Sequence, residues 1–236
     1  MEKTKNNSSN RKIQVTKNGP YIVSGNIPIY SMIIKCDTSI IPSEWVVARK
    51  LERQPNYALC RCGGTANKPF CDGTHLKNQF DGTETSNNTA FEKMAKTIDG
   101  HKLILKDAKI LCASARFCHR GGAIWSQIVQ NSDDDNKIKE NCIKNVCDCP
   151  SGRLTAVDKE TGNIVEPKLK IAIGLIKDPA IGRIGPLWIQ GKIPIYSADG
   201  KQYEIRNRVT LCRCGKSENK PFCDSSHYPE EEQTKG

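Results

Sequence analysis

Nowhere in the 236 residues do eighteen or more apolar residues follow one another, which argues against a membrane-spanning helix. The opening stretch MEKTKNNSSNRK (1–12) has charge but no apolar core behind it, so it reads as a disordered leader and not as a secretory signal. Aromatic residues make up only 6% of the chain. The formal charge is +10, but the basic side chains are scattered and interrupted by acidic SDDD (132–135) and EEE (230–232). A nucleic-acid surface would need basic residues clustered with aromatics, so none is expected. Histidine is scarce, with four in all. No nucleophile–base set and no glycine-rich cofactor loop is present, so the chain is not expected to be an enzyme.

Cysteine, by contrast, is abundant. Twelve cysteines without an export signal point to metal or redox chemistry in a cytoplasmic protein, with a disulfide framework as the less favoured alternative. Eight of the potential ligands fall in two nearly identical segments, LCRCGGTANKPFCDGTH (59–75) and LCRCGKSENKPFCDSSH (211–227). They agree at twelve of seventeen positions. The repeat extends upstream, where GPYIVSGNIPIY (19–30) matches GPLWIQGKIPIY (185–196) at seven of twelve. The first copy carries fourteen more residues than the second between these blocks.

Each copy reads as strands followed by a loop. Ile13 and Val15, Tyr21 and Val23, and Ile27 and Ile29 alternate with other residues, the period of a strand. Asn18-Gly19 and Asp199-Gly200 mark turns, and Tyr203, Ile205, Val209 and Leu211 suggest further strands in the second copy. A repeat of this size buries little apolar surface alone. It therefore calls for a metal staple, a partner sheet or both, and the other copy is the obvious partner.

The donors of the first copy are Cys60, Cys62, Cys71 and His75, spaced C-x-C-x8-C-x3-H. Those of the second, Cys212, Cys214, Cys223 and His227, repeat that spacing. Three cysteines and a histidine are an ordinary zinc set, although zinc sites usually open with C-x2–4-C. Spacing alone leaves zinc and a binuclear iron–sulfur centre open. The residues CRCGGTANKPFCDGTH resemble the CDGSH iron–sulfur motif of the mitoNEET-related proteins, with Thr65 or Ser217, Pro69 or Pro221, and Asp72 or Asp224 in place. The resemblance covers 18–75 and 184–227. It implies a [2Fe–2S] cluster in each copy, Cys60 and Cys62 on one iron and Cys71 with His75 on the other, and Cys212 with Cys214 and Cys223 with His227 likewise. The second copy departs from the motif with Ser225 in the place of a glycine, which matters if that position needs a positive φ.

One neutral imidazole in place of a thiolate makes such a cluster less negative and easier to reduce than a four-cysteine one. Two histidines raise the potential to roughly −150 to +300 mV, against about −400 mV for plant-type ferredoxins. A protonated imidazole no longer ligates, so the site is acid-labile and can couple electrons to protons. Arg61, Arg213, Lys68 and Lys220 read either as solvated surface or as charges that screen the cluster. Asp72 and Asp224 read either as caps of a short histidine-bearing helix or as turn residues.

The middle of the chain contains CASARFC, with Cys112 and Cys118, and then Cys149 before a proline. Relative to the bacterial ferredoxin run C-x2-C-x2-C, Ala115 replaces the middle cysteine. Three cysteines suit a [3Fe–4S] cluster. A [4Fe–4S] cluster needs a further ligand, for which Cys147 is the first candidate, then Cys142, with His119 behind them. Buried thiols or a zinc site are the alternative. CPSGRL (149–154) resembles the ending of divergent mono-cluster ferredoxin domains. SDDDNKIKENCIKNV has helical character with an acidic start. Cys36 reads as a core thiol, and His101 as a turn residue.

The expected architecture is α+β: two small β-rich repeats forming a pseudo-two-fold unit, with an inserted ferredoxin-like α+β region. The expected segments are a leader (1–12), the first repeat (13–80), the ferredoxin-like region (81–180), the second repeat (181–229) and an acidic tail (230–236). The expected function is electron transfer by two [2Fe–2S] clusters and one [3Fe–4S] or [4Fe–4S] cluster. Cluster donation or redox and pH sensing is the alternative, and a zinc-stapled interaction module the third. The expected partners are redox proteins or apo-acceptors of clusters, with no nucleic acid and no membrane, and the chain a monomer.

Overall fold

The structure, a computed structural model, describes residues 10–130 and 135–226. Most of the expected leader, most of SDDD, His227 and the acidic tail lie outside them. Alternation lays down the first strands. β1 (Lys12–Val15) buries Ile13 and Val15, and β2 (Tyr21–Ser24) buries Tyr21 and Val23. β3 (Ile29–Cys36) and β4 (Pro42–Lys50) form a hairpin that absorbs the extra residues of the first copy. β5 (Tyr57–Leu59) runs into Cys60, and α1 (Thr74–Lys77) carries His75.

The central region holds α2 (Phe91–Met94), β6 (Lys96–Asp99), β7 (Leu103–Asp107), α3 (Ile124–Gln127), α4 (Asp135–Asp148), β8 (Leu154–Asp158) and β9 (Ile164–Val165). The second copy supplies β10 (Ala172–Asp178), β11 (Arg183–Gln190), β12 (Ile195–Tyr196) and β13 (Arg208–Leu211). These strands make three sheets, ordered β12-β1-β2-β5, β13-β11-β10-β3-β4 and β6-β7-β8-β9. Among the described residues no helix is long and apolar enough to cross a membrane.

The two outer sheets are built by exchange. The IPIY strand of each copy leaves its own sheet and pairs in parallel with the first strand of the other, Ile195 beside Ile13 and Ile29 beside Ile173. Pro194 and Pro28 have no N–H to offer, and each accepts through its carbonyl, from Ile13 and Ile173 respectively, at 2.9 Å. The result is one core shared by both copies, in which Ile13, Tyr21 and Ile29 pack with Leu187, Ile195 and Leu211. Neither half could close such a core alone.

Three sequence expectations are corrected here. β10 lies inside the expected central region of 81–180, yet it pairs with β11 and β3 in an outer sheet. Thr85 and Ser86, also assigned to that region, donate their amides to the Lys220 carbonyl at 2.9 Å and strap the second copy. Tyr203 and Ile205 form no strand beyond a bridge between Tyr196 and Gln202, because Ile205 faces solvent and Tyr203 turns inward. The central sheet has its own core, Leu103, Leu105, Leu154 and Ala156 packed on Ile124, Cys142 and Val146 of the helices.

Candidate metal centres

Both cysteine loops fold by the same hydrogen bonds. Cys60 and Cys212 donate their amides to the carbonyls of Pro69 and Pro221, and Cys71 and Cys223 to those of Ala58 and Thr210, all at 2.9 Å. Thr65 and Ser217 donate their hydroxyls to Phe70 and Phe222 at 2.7 Å. Asp72 accepts from the amides of Ala66 and Thr74, and Asp224 from those of Glu218 and Ser226. These carboxylates therefore brace the loop from both ends. The helix cap itself is Gly73, which makes no side-chain capping bond. Hydrogen bonds from Thr74 and Ala66 hold the Asp72 carboxyl well below the usual carboxylate range.

The donors then meet in pairs. Cys60 Sγ lies 3.7 Å from Cys62 Sγ, Cys212 Sγ 3.6 Å from Cys214 Sγ, and Cys71 Sγ 3.3 Å from His75 Nδ1. Two thiolates on one tetrahedral metal with bonds of about 2.3 Å stand roughly 3.8 Å apart. Among the described residues no three donors close on one point, as a single ion requires. The Gly64 amide donates to Cys62 Sγ at 3.4 Å. A hydrogen bond from Cys214 holds the Cys212 thiol down, at about 6, while Cys214 is pushed up in return.

The two loops touch back to back. Cys62 and Cys214 form an antiparallel bridge. Gly63 sits there at φ 77°, and a Cβ on it would come within 2.7 Å of the Cys214 carbonyl oxygen, so only glycine fits. A cavity of about 440 Å³ opens beside the first loop, lined by Cys60, Cys62 and Lys68 and, from the second copy, by Arg213 and Cys214. Arg213 donates Nε to the Gly185 carbonyl at 2.7 Å, but its buried Nη2 has no partner among the described residues. Desolvation lowers its pKa to about 10. An orphaned guanidinium beside unpaired thiols fits a group of net negative charge, which an iron–sulfur cluster is. Its counterpart Arg61 is not solvated surface either. It is 3% exposed, donates to the carbonyls of Thr16 and Gly82, and lies over the rings of Tyr21 and Phe80.

In the centre, Cys118 is pushed up to about 12 by burial and then by the neighbouring charges of Cys149 and Cys112. The charges of Cys149 and Cys112 both reach Cys118, and Cys118 and Cys149 border the same buried cluster, although among the described residues these thiols do not close on one point. Arg153 forks onto Asp107 at 2.6 and 2.9 Å beside them. The candidates for a fourth ligand, Cys142, Cys147 and His119, stand in three different surroundings. Cys142 is fully buried in the core, four residues before Val146 on the same helix face, and Cys147 lies among Arg208, Glu166 and Asp148. His119 packs edge-on against Trp125. Cys36 is half-buried against the Met32–Trp188 cluster, and His101 sits in a turn with its amide on the Ile128 carbonyl.

The sequence reading missed the residues that dock the second loop on this centre. Ser225 is 7% exposed and donates its hydroxyl to the Cys112 carbonyl at 2.7 Å, while Ser114 donates to Ser225 at the same distance. Arg208, its side chain fully buried, forks onto Glu166 and donates to the carbonyls of Val146 and Cys149. A charged residue inside the apolar alternation of β13 was the one local sign of this.

The comparisons with known proteins agree with this division. The family described as iron-binding zinc finger CDGSH type matches residues 18–76 and again 184–228. The family described as divergent 4Fe-4S mono-cluster matches 98–159. No curated protein and no solved structure matches the chain. Two CDGSH-type iron–sulfur regions, joined by exchanged strands, thus flank a divergent 4Fe-4S mono-cluster domain in this chain.

Proposed function

We propose that the protein is a cytoplasmic electron carrier with three iron–sulfur clusters. Cys60, Cys62, Cys71 and His75 hold one [2Fe–2S] cluster, and Cys212, Cys214, Cys223 and His227 the other. Cys112, Cys118 and Cys149 hold the third. The observation that carries this reading is the pairing of Cys60 with Cys62 at 3.7 Å and of Cys71 with His75 at 3.3 Å in the first copy, and of Cys212 with Cys214 at 3.6 Å in the second, with no third donor on the same point among the described residues. Two pairs suit a binuclear core, whereas one zinc ion draws all four donors together. When bound, each cluster supplies one-electron storage. The chain's residues supply the rest: the Gly64 amide and the free Arg213 Nη2 offset negative charge, and Asp72 and Asp224 keep the loops braced. The reciprocal strand exchange supports treating the outer copies as halves of one pseudo-symmetric unit in a monomer. At the centre the three-thiol set supports a [3Fe–4S] cluster, or a [4Fe–4S] cluster whose fourth corner takes no cysteine.

Visible absorption with iron, sulfide and zinc analysis of anaerobically purified protein tests this. The expected result is bands that bleach under dithionite, with about seven or eight iron and sulfide per chain. A colourless protein with zinc and no sulfide would leave a structural metal scaffold in its place. A second reading, donation of the first cluster to an apo-acceptor, is favoured by the exposure of Lys68, Asp72 and Leu76 around that loop. Transfer of the visible bands to apo-ferredoxin separates it from electron transfer.

A further inference from the structure

The two outer sites share one motif, but among the described residues only the second is hydrogen-bonded to a central cysteine. Ser225 stands two residues beyond the ligand Cys223, and its hydroxyl donates to the backbone carbonyl of the ligand Cys112 at 2.7 Å. Ser114, two residues beyond Cys112, donates back to the same hydroxyl at 2.7 Å. Ser225 holds this place at φ 76°, where the first copy has Gly73 at φ 87°. A left-handed conformation is costly for a residue with a Cβ, so the serine sits against its backbone preference at the one position where its hydroxyl reaches the neighbouring site. Asn219, 6% exposed, leans on the same central segment, whereas its counterpart Asn67 faces solvent. A Cβ on Gly73 would find nothing within 4 Å.

We infer that Ser225 is a positioning residue that clamps the second outer site onto the central site, so that the second site stands between the centre and the first site, which it meets at the Cys62–Cys214 bridge, and the first site faces outside partners. This rests on the proposal that all three sites hold clusters. The path from Cys223 to Cys112 runs along three residues of backbone and one hydrogen bond. An electron entering from an external one-electron carrier passes along it with no bond made or broken in the protein.

Electron paramagnetic resonance of the fully reduced protein tests this, after metal and sulfide analysis has shown that all three clusters are present. Failure of that analysis would overturn the cluster assignment, which is a separate outcome. A paramagnetic neighbour speeds spin relaxation, so the outer signal with two neighbours, the other outer site and the centre, should relax faster than the outer signal with one. His75→Cys, which changes the spectrum of the first site, identifies which is which. The fast-relaxing signal is expected to be the second site's, and Cys149→Ala, which removes a central ligand, should slow it to the rate of the first. Equal relaxation of both outer signals, or fast relaxation of the first alone, would overturn the inference.

Ser225→Gly and Ser225→Ala then separate clamping from folding. Both lose the hydroxyl, but only the alanine keeps the backbone strain, so their melting temperatures should differ while both lose the fast relaxation alike. Fast relaxation retained in Ser225→Gly, with all clusters in place, would show that the hydroxyl does not set the contact. Ser114→Ala leaves the bond from Ser225 to Cys112 intact and should relax like the wild type.

Discussion

The loops that begin at Cys60 and Cys212 share their sequence, their internal hydrogen bonds and their spacing of sulfurs, yet one faces water and the other faces protein. Around the first, Asn67, Lys68 and Asp72 are exposed. Around the second, Asn219 is buried and Lys220 and Asp224 are half-buried. The difference comes from residues outside the motif. Arg208, at the root of the second loop, reaches into the central domain with a fully buried side chain, and its counterpart in the first copy is the exposed Asn56. Thr85 and Ser86 strap the second loop from above. Ligand chemistry is thus set locally, whereas access is set by what packs against the loop. One motif can serve as a port in one copy and an internal station in the other.

Breaking the dock should have the largest effect. Arg208→Ala removes a fully buried guanidinium that donates to the Glu166 carboxylate and to the carbonyls of Val146 and Cys149, leaving these acceptors only Asn207 and the amides of Cys149 and Gly152. Removing one partner of a buried charged network costs about 3–5 kcal/mol, and Asn56→Ala at the equivalent exposed position should stay within about 0.5 kcal/mol. Denaturant unfolding of the two variants checks this. Similar losses in both would mean that the second loop is no better anchored than the first.

The two arginines inside the motifs sharpen the comparison next. Arg61→Ala strips the donor from the buried Gly82 carbonyl, one of two donors from the Thr16 carbonyl, and the contact with the rings of Tyr21 and Phe80, and should cost about 3 kcal/mol. Arg213 donates one hydrogen bond and leaves Nη2 free beside Cys60 and Cys62. Arg213→Ala should therefore affect stability less and instead lower the reduction potential of the first site, since a positive charge that favours the added electron is gone. A redox titration with the first-site signal resolved reads the shift. An unchanged or raised potential would remove Arg213 from the first site's electrostatics.

Much of the chemistry was legible in the sequence because it is local. Four donors within sixteen residues, the repeat around them and the alternation of Ile13, Val15, Tyr21 and Val23 all declare themselves over short windows. The strand exchange did not. IPIY looks like any short strand, and nothing near Ile29 says that it pairs with Ile173. The proline after Cys149 marked it as the remote ligand, whereas nothing in the sequence ranked Cys142 and Cys147 by their surroundings. The turn of α4 sends Cys142 into the core with Val146 and leaves Cys149 just beyond the helix end, where it borders the same cluster as Cys118. Ser225 was visible as a departure from glycine, but its partner lies more than a hundred residues away.

Acid should discriminate the loops more gently. Hydrogen bonds from Thr74 and Ala66 lower the Asp72 pKa. A lowered carboxylate adds stability that is present above its ordinary value of about 3.9 and is lost as pH falls through the lower folded value. Asp72→Asn mimics the protonated brace, so cluster loss from the first loop should already be accelerated in the variant at pH values above 4, where the wild-type loop is still braced. Stopped-flow bleaching of the visible bands reads this. Identical profiles for variant and wild type would mean that Asp72 does not hold the loop.

The smallest effect bears most directly on why the copies differ. Gly73 and Ser225 occupy the same left-handed conformation, at φ 87° and 76°. At position 73 an added side chain meets nothing within 4 Å, so Gly73→Ser acquires the backbone strain and no new partner. The expected loss is about 1 kcal/mol. Ser225→Gly releases a similar strain but forfeits two hydrogen bonds of about 1 kcal/mol each, so its net change should be a loss of about 1 kcal/mol or less. The same exchange of residues, run in opposite directions, therefore fails to give opposite signs. If Ser225→Gly instead stabilised the protein by the full strain, the hydroxyl's bonds to Cys112 and Ser114 would contribute nothing, and the second loop's serine would be a tolerated accident. If both variants lose stability, the serine is there because the central domain is.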